Sequence, residues 1–362
     1  MKAAVCYEFG QPLVIEEVVI DPPQAGEVKV QIKAVAICHS DVHLVRGDWK
    51  NWSSNPPVIA GHEGAGHVVE VGPGVTRAQV GDAVVVSLLR SCGQCFYCAS
   101  GSPFICEGKF ALQREHRLHR ITGEHIRQGI STGAFAECAV VDQSQVVPVA
   151  RDMPLDQACL LACGVITGYG AVVNTARLTP GSSAVIIGTG GVGLNAIQGA
   201  HLSGAHPIIA VDVSDSKLEA ARAFGATHTL NAKRTDVITE VRALTDRRGA
   251  DYAFVTVGNP VAIEQSLKFV RRDGTIVAVG MPSTGAAASV PMGDFVYNGQ
   301  RLLGSNVGST RLTVDIPRLV GLYQSGRLKL DELITQRYSL EKINDAIESM
   351  ERGEALRNVI VF

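Results

Sequence analysis

The chain has 362 residues, enough for two domains with separate cores, and its 46% hydrophobic and 19% charged content describes a folded globular protein, not a disordered or fibrous one. A formal net charge of −2 gives no electrostatic ground for nucleic-acid or membrane partners, and no apolar run reaches membrane-spanning length. Nine cysteines, four of them within residues 92–106, together with an acid at Glu8 where a secretion signal would stay apolar, predict a cytoplasmic protein whose clustered thiols bind metal and do not pair as disulfides.

Residues 1–37 read as short strands, Ala3–Val5, Leu13–Ile20 and Val28–Ile37, interrupted by the Pro/Gly turn at 21–26. The opening is therefore mostly β. Cys38-His39-Ser40-Asp41-Val42-His43 then crowds metal-binding and proton-handling side chains into six residues, a density that packing rarely requires. Gly61-His62-Glu63 leads through Gly66 into a strand at His67–Val71 and a turn at Gly72–Val75. Cys92, Cys95, Cys98 and Cys106 come next, with two, two and seven residues between them. Four soft ligands on a glycine-containing loop form a closed tetrahedral set, which suits structural zinc, although spacing alone leaves an iron–sulfur cluster open.

Between Lys109 and Arg127, five basic side chains (Lys109, Arg114, Arg117, Arg120, Arg127) stand against Glu115 and Glu124. Two readings apply: a solvated basic loop, or a segment that recruits an anionic substrate. Strands are expected at Ala134–Val141 and Val146–Val149, and the small and apolar residues from Asp156 to Gly170 predict a tightly packed helical approach to the second half of the chain. Cys138 and Cys159 read as small buried hydrophobes.

That second half is organised around the β-branched run at Ala184–Ile187 and the spacing Gly188-x-Gly190-x-x-Gly193, with helix-compatible residues to Ser203 and a second strand ending at Asp212, 19 residues after Gly193. This is the pattern of a dinucleotide-binding βαβ unit, the alternative being an ordinary glycine-rich strand-to-helix turn. Gly188 permits the tight turn, Gly190 lets backbone approach a pyrophosphate, and Gly193 allows close helix–strand packing. Asp212 can accept ribose hydroxyls, and no Arg follows it at Val213 or Ser214 to meet a 2′-phosphate, so NAD is expected over NADP. A helix from Ser214 to Gly225, a strand at Thr227–Leu230, a helix at Asp236–Leu244, a strand at Asp251–Val257, a helix at Val261–Val270 and a strand at Gly274–Gly280 predict a doubly wound parallel sheet. Helices at Leu312–Gln324 and Leu340–Met350 and a strand at Arg357–Phe362, returning to the opening domain, complete the chain. The pattern changes place one domain at 1–164 and 307–362 and the other at 165–306.

Taken in order, these motifs resemble the zinc-dependent alcohol dehydrogenases of the medium-chain dehydrogenase/reductase family over essentially the whole chain. The similarity is carried by Gly61-His62-Glu63-x-x-Gly66 with Gly72 and Val75, the four-cysteine lobe at 90–107, Gly188-x-Gly190-Gly191-Val192-Gly193, and Asp212. It implies an α/β fold in which a doubly wound parallel-sheet (Rossmann) cofactor domain joins a mostly β, GroES-like catalytic domain. It also implies two zinc ions per chain: a catalytic one on Cys38, His62 and Cys163, with a fourth position for water or substrate, and a structural one on the four-cysteine lobe. The implied reaction is hydride transfer between a zinc-held alcohol or carbonyl and the nicotinamide of NAD, zinc acting as Lewis acid.

By the same resemblance Ser40 is the hydroxyl beside zinc, His43 passes the proton toward solvent, Asp41 orients His62, and Glu63 is the acid behind the metal. His39 and Arg357 correspond to pyrophosphate contacts, Lys217 to an adenosine-ribose contact, Val192 to the apolar residue behind the nicotinamide, Val279 to a further cofactor contact, and Trp49 to the substrate pocket. His39 stands where many relatives have Arg, so pyrophosphate should be held less tightly. Some relatives use a basic residue after the cysteine lobe to hold the carboxylates of a thiol–aldehyde adduct, which extends the expected alcohol or aldehyde to anionic ones. The resemblance implies a homodimer, with a tetramer as the alternative. Two other readings are weighed: a zinc-free quinone or enoyl reductase of the same family, which Cys38, His62 and Cys163 disfavour, and a non-enzymatic zinc- and nucleotide-binding redox sensor.

Overall fold

A computed structural model describes residues 1–49 and 55–362. The chain divides into two compact units, one formed by Met1–Cys163 with Arg311–Phe362 and the other by Gly164–Thr310.

The first unit is mostly β. Among the described residues, its strands Lys2–Cys6, Val14–Ile20, Leu118–Arg120, His125–Gln128 and Val58–Ile59 close into a small barrel, and seven more form a second sheet. The centre of that sheet is the long strand Glu27–Ala36, whose Val28, Val30 and Ile32 are fully buried. It pairs with Glu63–Val71, matching Ala36 to Glu63, and with the C-terminal strand Arg357–Val361, matching Ala36 to Val359. The chain's end thus returns to the opening sheet, and the register brings the residues flanking Ala36, Glu63 and Arg357 to one end of it.

The second unit carries six parallel strands in the spatial order His228–Asn231, Ile208–Asp212, Ala184–Ile187, Ala250–Val255, Val270–Ala278, Arg301–Gly304. Numbered along the unit, that order is 3-2-1-4-5-6, the dinucleotide-binding arrangement in which ligands meet the carboxyl ends of the strands where the order reverses. The reversal falls between Ala184–Ile187 and Ala250–Val255.

Several stretches differ from the sequence pattern: the strand expected over 134–141 is Cys138–Asp142, and the helix expected over 340–350 is Ile343–Glu351 after a 3-10 turn. The helix expected over 261–270 is Pro260–Ser266, and the strand after it begins at Val270, which pairs with Ala250 before a register shift restores regular pairing at Thr275. Burial of Phe269 and Val270 in the sheet core pulls these residues into the strand. The polar stretch 109–127 contributes two barrel strands, betrayed in sequence only by the isolated apolar residues Leu118 and Ile126, both fully buried. The helix Met292–Tyr297 and edge strand Arg301–Gly304 carry mostly exposed side chains, so no core-facing period marked them.

Candidate functional site

Cys38 caps the helix His39–Arg46 at the end of the central strand, and Asp41 in the helix's first turn ties this corner to the next one. The Cys38 backbone N–H donates to Asp41 Oδ2 at 3.1 Å, while Asp41 Oδ1 accepts from the Gly61 N–H at 2.9 Å and pairs with His62 Nδ1 at 2.9 Å. Asp41 is completely buried. A carboxylate in that position holds the proton on Nδ1 and leaves the lone pair on Nε2. Gly61 has a φ of +88°, and a Cβ there would stand 2.6 Å from the Phe135 backbone nitrogen, so the corner that aims His62 admits only glycine.

His62 Nε2 and Glu63 Oε1 are buried and have no hydrogen-bond partner among the described residues. One ligand atom from each of Cys38, His62, Glu63 and Cys163 lies within 4.8 Å of the others. Two sulfurs bound to one zinc can be at most about 4.6 Å apart, so this convergence has the dimensions of a single metal site. Two thiolates and an imidazole are a catalytic zinc set, and an orphaned buried lone pair on Nε2 is the atom such an ion satisfies. The Cys38 thiol is held well below its ordinary range by its hydrogen bond with Cys163, against burial and with help from His62. The same bond, reinforced by burial, pushes Cys163 up. Burial opposes charging of His62, yet Asp41 and Cys38 raise its pKa well above the ordinary value. These opposed shifts describe donors sharing protons that a cation would displace.

Arg357, expected at a pyrophosphate, is engaged with Glu63: its Nη2 donates to Glu63 Oε2, with both side chains buried. Burial pushes Glu63 up to about 7 against the pull of that guanidinium. Ser40 and His43 share the helix with Cys38, both half-buried, and His39 is exposed in its first turn. His43 Nδ1 pairs with Asp48 Oδ2 at 2.8 Å, and its ring lies 5.2 Å from that of Trp49, which is 7% exposed. Asp48 escaped the sequence reading; the Gly47 that ends the helix was the signal that the next residue folds back.

Cys92, Cys95, Cys98 and Cys106 form a second convergent group within 4.8 Å. Backbone N–H groups of Cys95, Cys98 and Gly108 point at the sulfurs of Cys92, Cys95 and Cys106 at 3.3, 3.5 and 3.2 Å. Such donors stabilise thiolates, and the Cys98 N–H takes the Cys95 thiol down to about 6. The group fits a closed four-thiolate zinc site.

In the second unit the three glycines divide their work as the spacing predicts. Gly188 has a φ of +92° in the turn, a Cβ on Gly193 would sit 1.8 Å from the Gly188 carbonyl oxygen, and a Cβ on Gly190 would meet nothing within 4 Å. The open side of Gly190, beside the start of the helix Gly191–Leu202, is where backbone can meet a pyrophosphate. Gly191, Val192, Lys217 and Val279 are half-buried, the last just past the end of the strand Val270–Ala278. Asp212 ends its strand as expected, but its carboxylate is already engaged: Oδ2 accepts from Thr189 N–H at 2.7 Å and Thr189 Oγ1 at 3.0 Å, Oδ1 from the N–H groups of Val213 and Ser214 at 2.7 and 3.0 Å. Ribose hydroxyls must share or displace these donors. Thr189 is a second residue the sequence reading missed.

In the segment 109–127, three of the five basic side chains already have partners. Arg117 is buried and chelates Glu27 through Nε and Nη2 at 2.9 and 2.8 Å, with Glu115 also on Nη2 at 2.8 Å. Arg120 pairs with Glu124 and lies over the Tyr7 ring, and Arg127 donates to the Asn55 carbonyl. A cavity of about 760 Å³ in the second unit is lined by Ser183, His206, Arg248, Asp251 and Arg271 at the starts of the strands, opposite the glycine turn. Its acids are spent on Ser183, Arg271 and Arg248.

Residues 24–151 match the family model for the alcohol dehydrogenase GroES-like domain, and residues 191–325 the model for zinc-binding dehydrogenases. The chain is 37% identical to an S-(hydroxymethyl)glutathione dehydrogenase of Paracoccus denitrificans, covering 100% of this chain and 99% of that one. Among solved structures, an alcohol dehydrogenase zinc-binding domain protein from Burkholderia ambifaria superposes with a TM-score of 0.94 at 33% identity, covering 100% and 98% of the two chains. The benzyl alcohol dehydrogenase of Acinetobacter calcoaceticus gives 0.93 at 33% identity, covering 100% and 99%.

Proposed function

The chain belongs to the zinc-dependent alcohol dehydrogenases of the medium-chain dehydrogenase/reductase family, and from that premise we propose that it interconverts alcohols and carbonyl compounds with NAD at the buried Cys38, His62 and Cys163 centre. The single observation that carries this assignment is the convergence of those donors around the orphaned Nε2 of His62. When bound, zinc supplies a Lewis acid that acidifies an alcohol hydroxyl, and NAD supplies the hydride acceptor. Everything else falls to the chain's own residues. Cys38, His62 and Cys163 would hold the metal, with Asp41 fixing the His62 tautomer and Glu63, braced by Arg357, supplying charge behind them. Ser40 and His43 carry the hydroxyl proton away along one helix face. Gly190 opens the turn to pyrophosphate, and the Asp212 carboxylate disfavours a 2′-phosphate by like charge.

A second zinc on the four cysteines would be structural, its coordination wholly internal. The protein would act in the cytoplasm, where nine unpaired cysteines persist. It would form a homodimer through the strand Arg301–Gly304, which among the described residues has a neighbour on one side only, carries the exposed Leu302 and follows the exposed Val296 and Tyr297.

The test is an NAD⁺ reduction screen on metal-quantified protein over primary, secondary and anionic alcohols, including benzyl alcohol and S-(hydroxymethyl)glutathione. Turnover that disappears in Cys163→Ser, with the melting transition retained, supports the assignment. Binding of NADH without turnover of any alcohol would leave the redox-sensor reading standing.

A further inference from the structure

The helix His39–Arg46 ends at Gly47, whose φ of 74° and ψ of 25° turn the chain back on itself. A Cβ at Gly47 would stand 2.9 Å from the Phe9 ring, so this left-handed turn is both favoured by glycine and walled in. Its consequence is specific. The Asp48 N–H donates to the His43 carbonyl at 3.0 Å, and the Asp48 carboxylate pairs with Nδ1 of the same residue at 2.8 Å. His43 is thus held by Asp48 at main chain and side chain together, while the nearly buried Trp49 ring packs 5.2 Å from the imidazole at an interplanar angle of 31°.

From this arrangement we infer that Asp48 is a positioning residue for proton transfer, acting through His43. The inference rests on the reading of His43 as the proton carrier. A carboxylate accepting from Nδ1 keeps that proton in place and leaves the lone pair on Nε2, as an acid does for a catalytic or metal-binding histidine. Nε2 takes the proton released by the alcohol hydroxyl, forming an N–H bond, and then gives the same proton to water. The Nδ1 proton stays on its nitrogen throughout, and the transient imidazolium is stabilised by the Asp48 charge. The side chains of His43 and Asp48 are 28% and 36% exposed, so water can reach the pair to receive the proton. Trp49 and the backbone clamp restrict ring rotation, which would otherwise exchange the two nitrogens.

The experiment uses zinc-replete full-length enzyme labelled with [¹⁵N]histidine, comparing the parent with Asp48→Asn, Asp48→Glu and His43→Gln. Long-range ¹⁵N spectra report the His43 tautomer, and single-turnover kinetics with the best alcohol from the screen report hydride transfer with KM measured in parallel. The expected result is an Nδ1–H tautomer in the parent and a mixture in Asp48→Asn. The Asn variant should transfer hydride about tenfold more slowly with KM within twofold, and Asp48→Glu should recover part of both signals. A His43→Gln variant as fast as the parent would remove the relay reading and this inference with it. A slow His43→Gln beside an Asp48→Asn that keeps the parent's tautomer and rate would overturn the role of Asp48 alone.

Discussion

Arg117→Met separates a structural cation from a substrate-binding one, because the two roles put the loss in different measurements. The guanidinium meets Glu27 through two hydrogen bonds of 2.8 and 2.9 Å, with side-chain exposures of 7% and 3%. Removing it strands a carboxylate whose other donor is the Gln24 N–H at 2.9 Å. Breaking a buried pair from one side typically costs about 3 to 5 kcal/mol, and the surviving N–H bond places this case near 3. The contact with Glu115, 59% exposed, adds under about 1 kcal/mol. For a unit of roughly 200 residues, 3 kcal/mol corresponds to a fall of about 6 to 12 °C in the melting temperature. Calorimetric melting of zinc-replete protein measures it, with the exposed Arg114→Ala as the comparison, expected to shift little. The double variant Glu27→Leu/Arg117→Leu should recover much of the loss, since an apolar pair leaves no buried charge. A shift below about 2 °C, together with a selective loss of catalytic efficiency on an anionic alcohol relative to its neutral isostere, would refute the structural assignment and return Arg117 to the substrate.

Gly193→Ala and Gly190→Ala should fail in opposite ways. The first forces a Cβ to within 1.8 Å of the Gly188 carbonyl oxygen and should lower stability or soluble yield, whereas the second meets no protein atom and should raise the NADH dissociation constant by about tenfold or more with an unchanged melt, measured by titration calorimetry. His116 is held below its ordinary pKa by burial first and then by His125, Arg127 and His119. The unfolded chain therefore takes up a proton more readily, and stability should fall as pH drops from about 6.5 through the lower folded value. His116→Gln should flatten that part of the melting-temperature profile. Cys98→Ser should lower bound zinc from two to one per chain and the melting temperature, with residual turnover at the Cys38, His62 and Cys163 centre, as read by metal analysis and activity on the same sample.

What sequence could show depended on whether a feature is local. The glycine turn was legible because a phosphate-binding corner must place Gly188, Gly190 and Gly193 at fixed offsets, and the structure gives each the steric surroundings its offset demands. The four-cysteine lobe was legible for the same reason: its donors sit on one loop. The other donor set was not. Cys38, His62 and Cys163 meet because Ala36 pairs with Glu63 while Asp41 bridges two corners, and no spacing rule contains that register. Only the resemblance to a known family grouped them.

The same distinction bounds what charge counting can say. Composition weighs Arg117 and Arg114 equally, yet the strand Leu118–Arg120 draws its neighbour Arg117 against Glu27, while Arg114 stays exposed. A cation's role is fixed by the carboxylate that the fold brings to it. That applies equally to Asp212, Arg357 and His43, whose partners Thr189, Glu63 and Asp48 each constrain what the side chain can offer a ligand. A ribose at Asp212 would compete with the donors that carboxylate already holds, and a phosphate at Arg357 would meet only what Glu63 leaves of its five N–H groups. Affinity for the cofactor should therefore respond to Thr189 and Glu63 as well as to the residues that touch it. A Thr189→Val substitution, which removes one of the four donors on Asp212, changes the competition for that carboxylate without altering its charge.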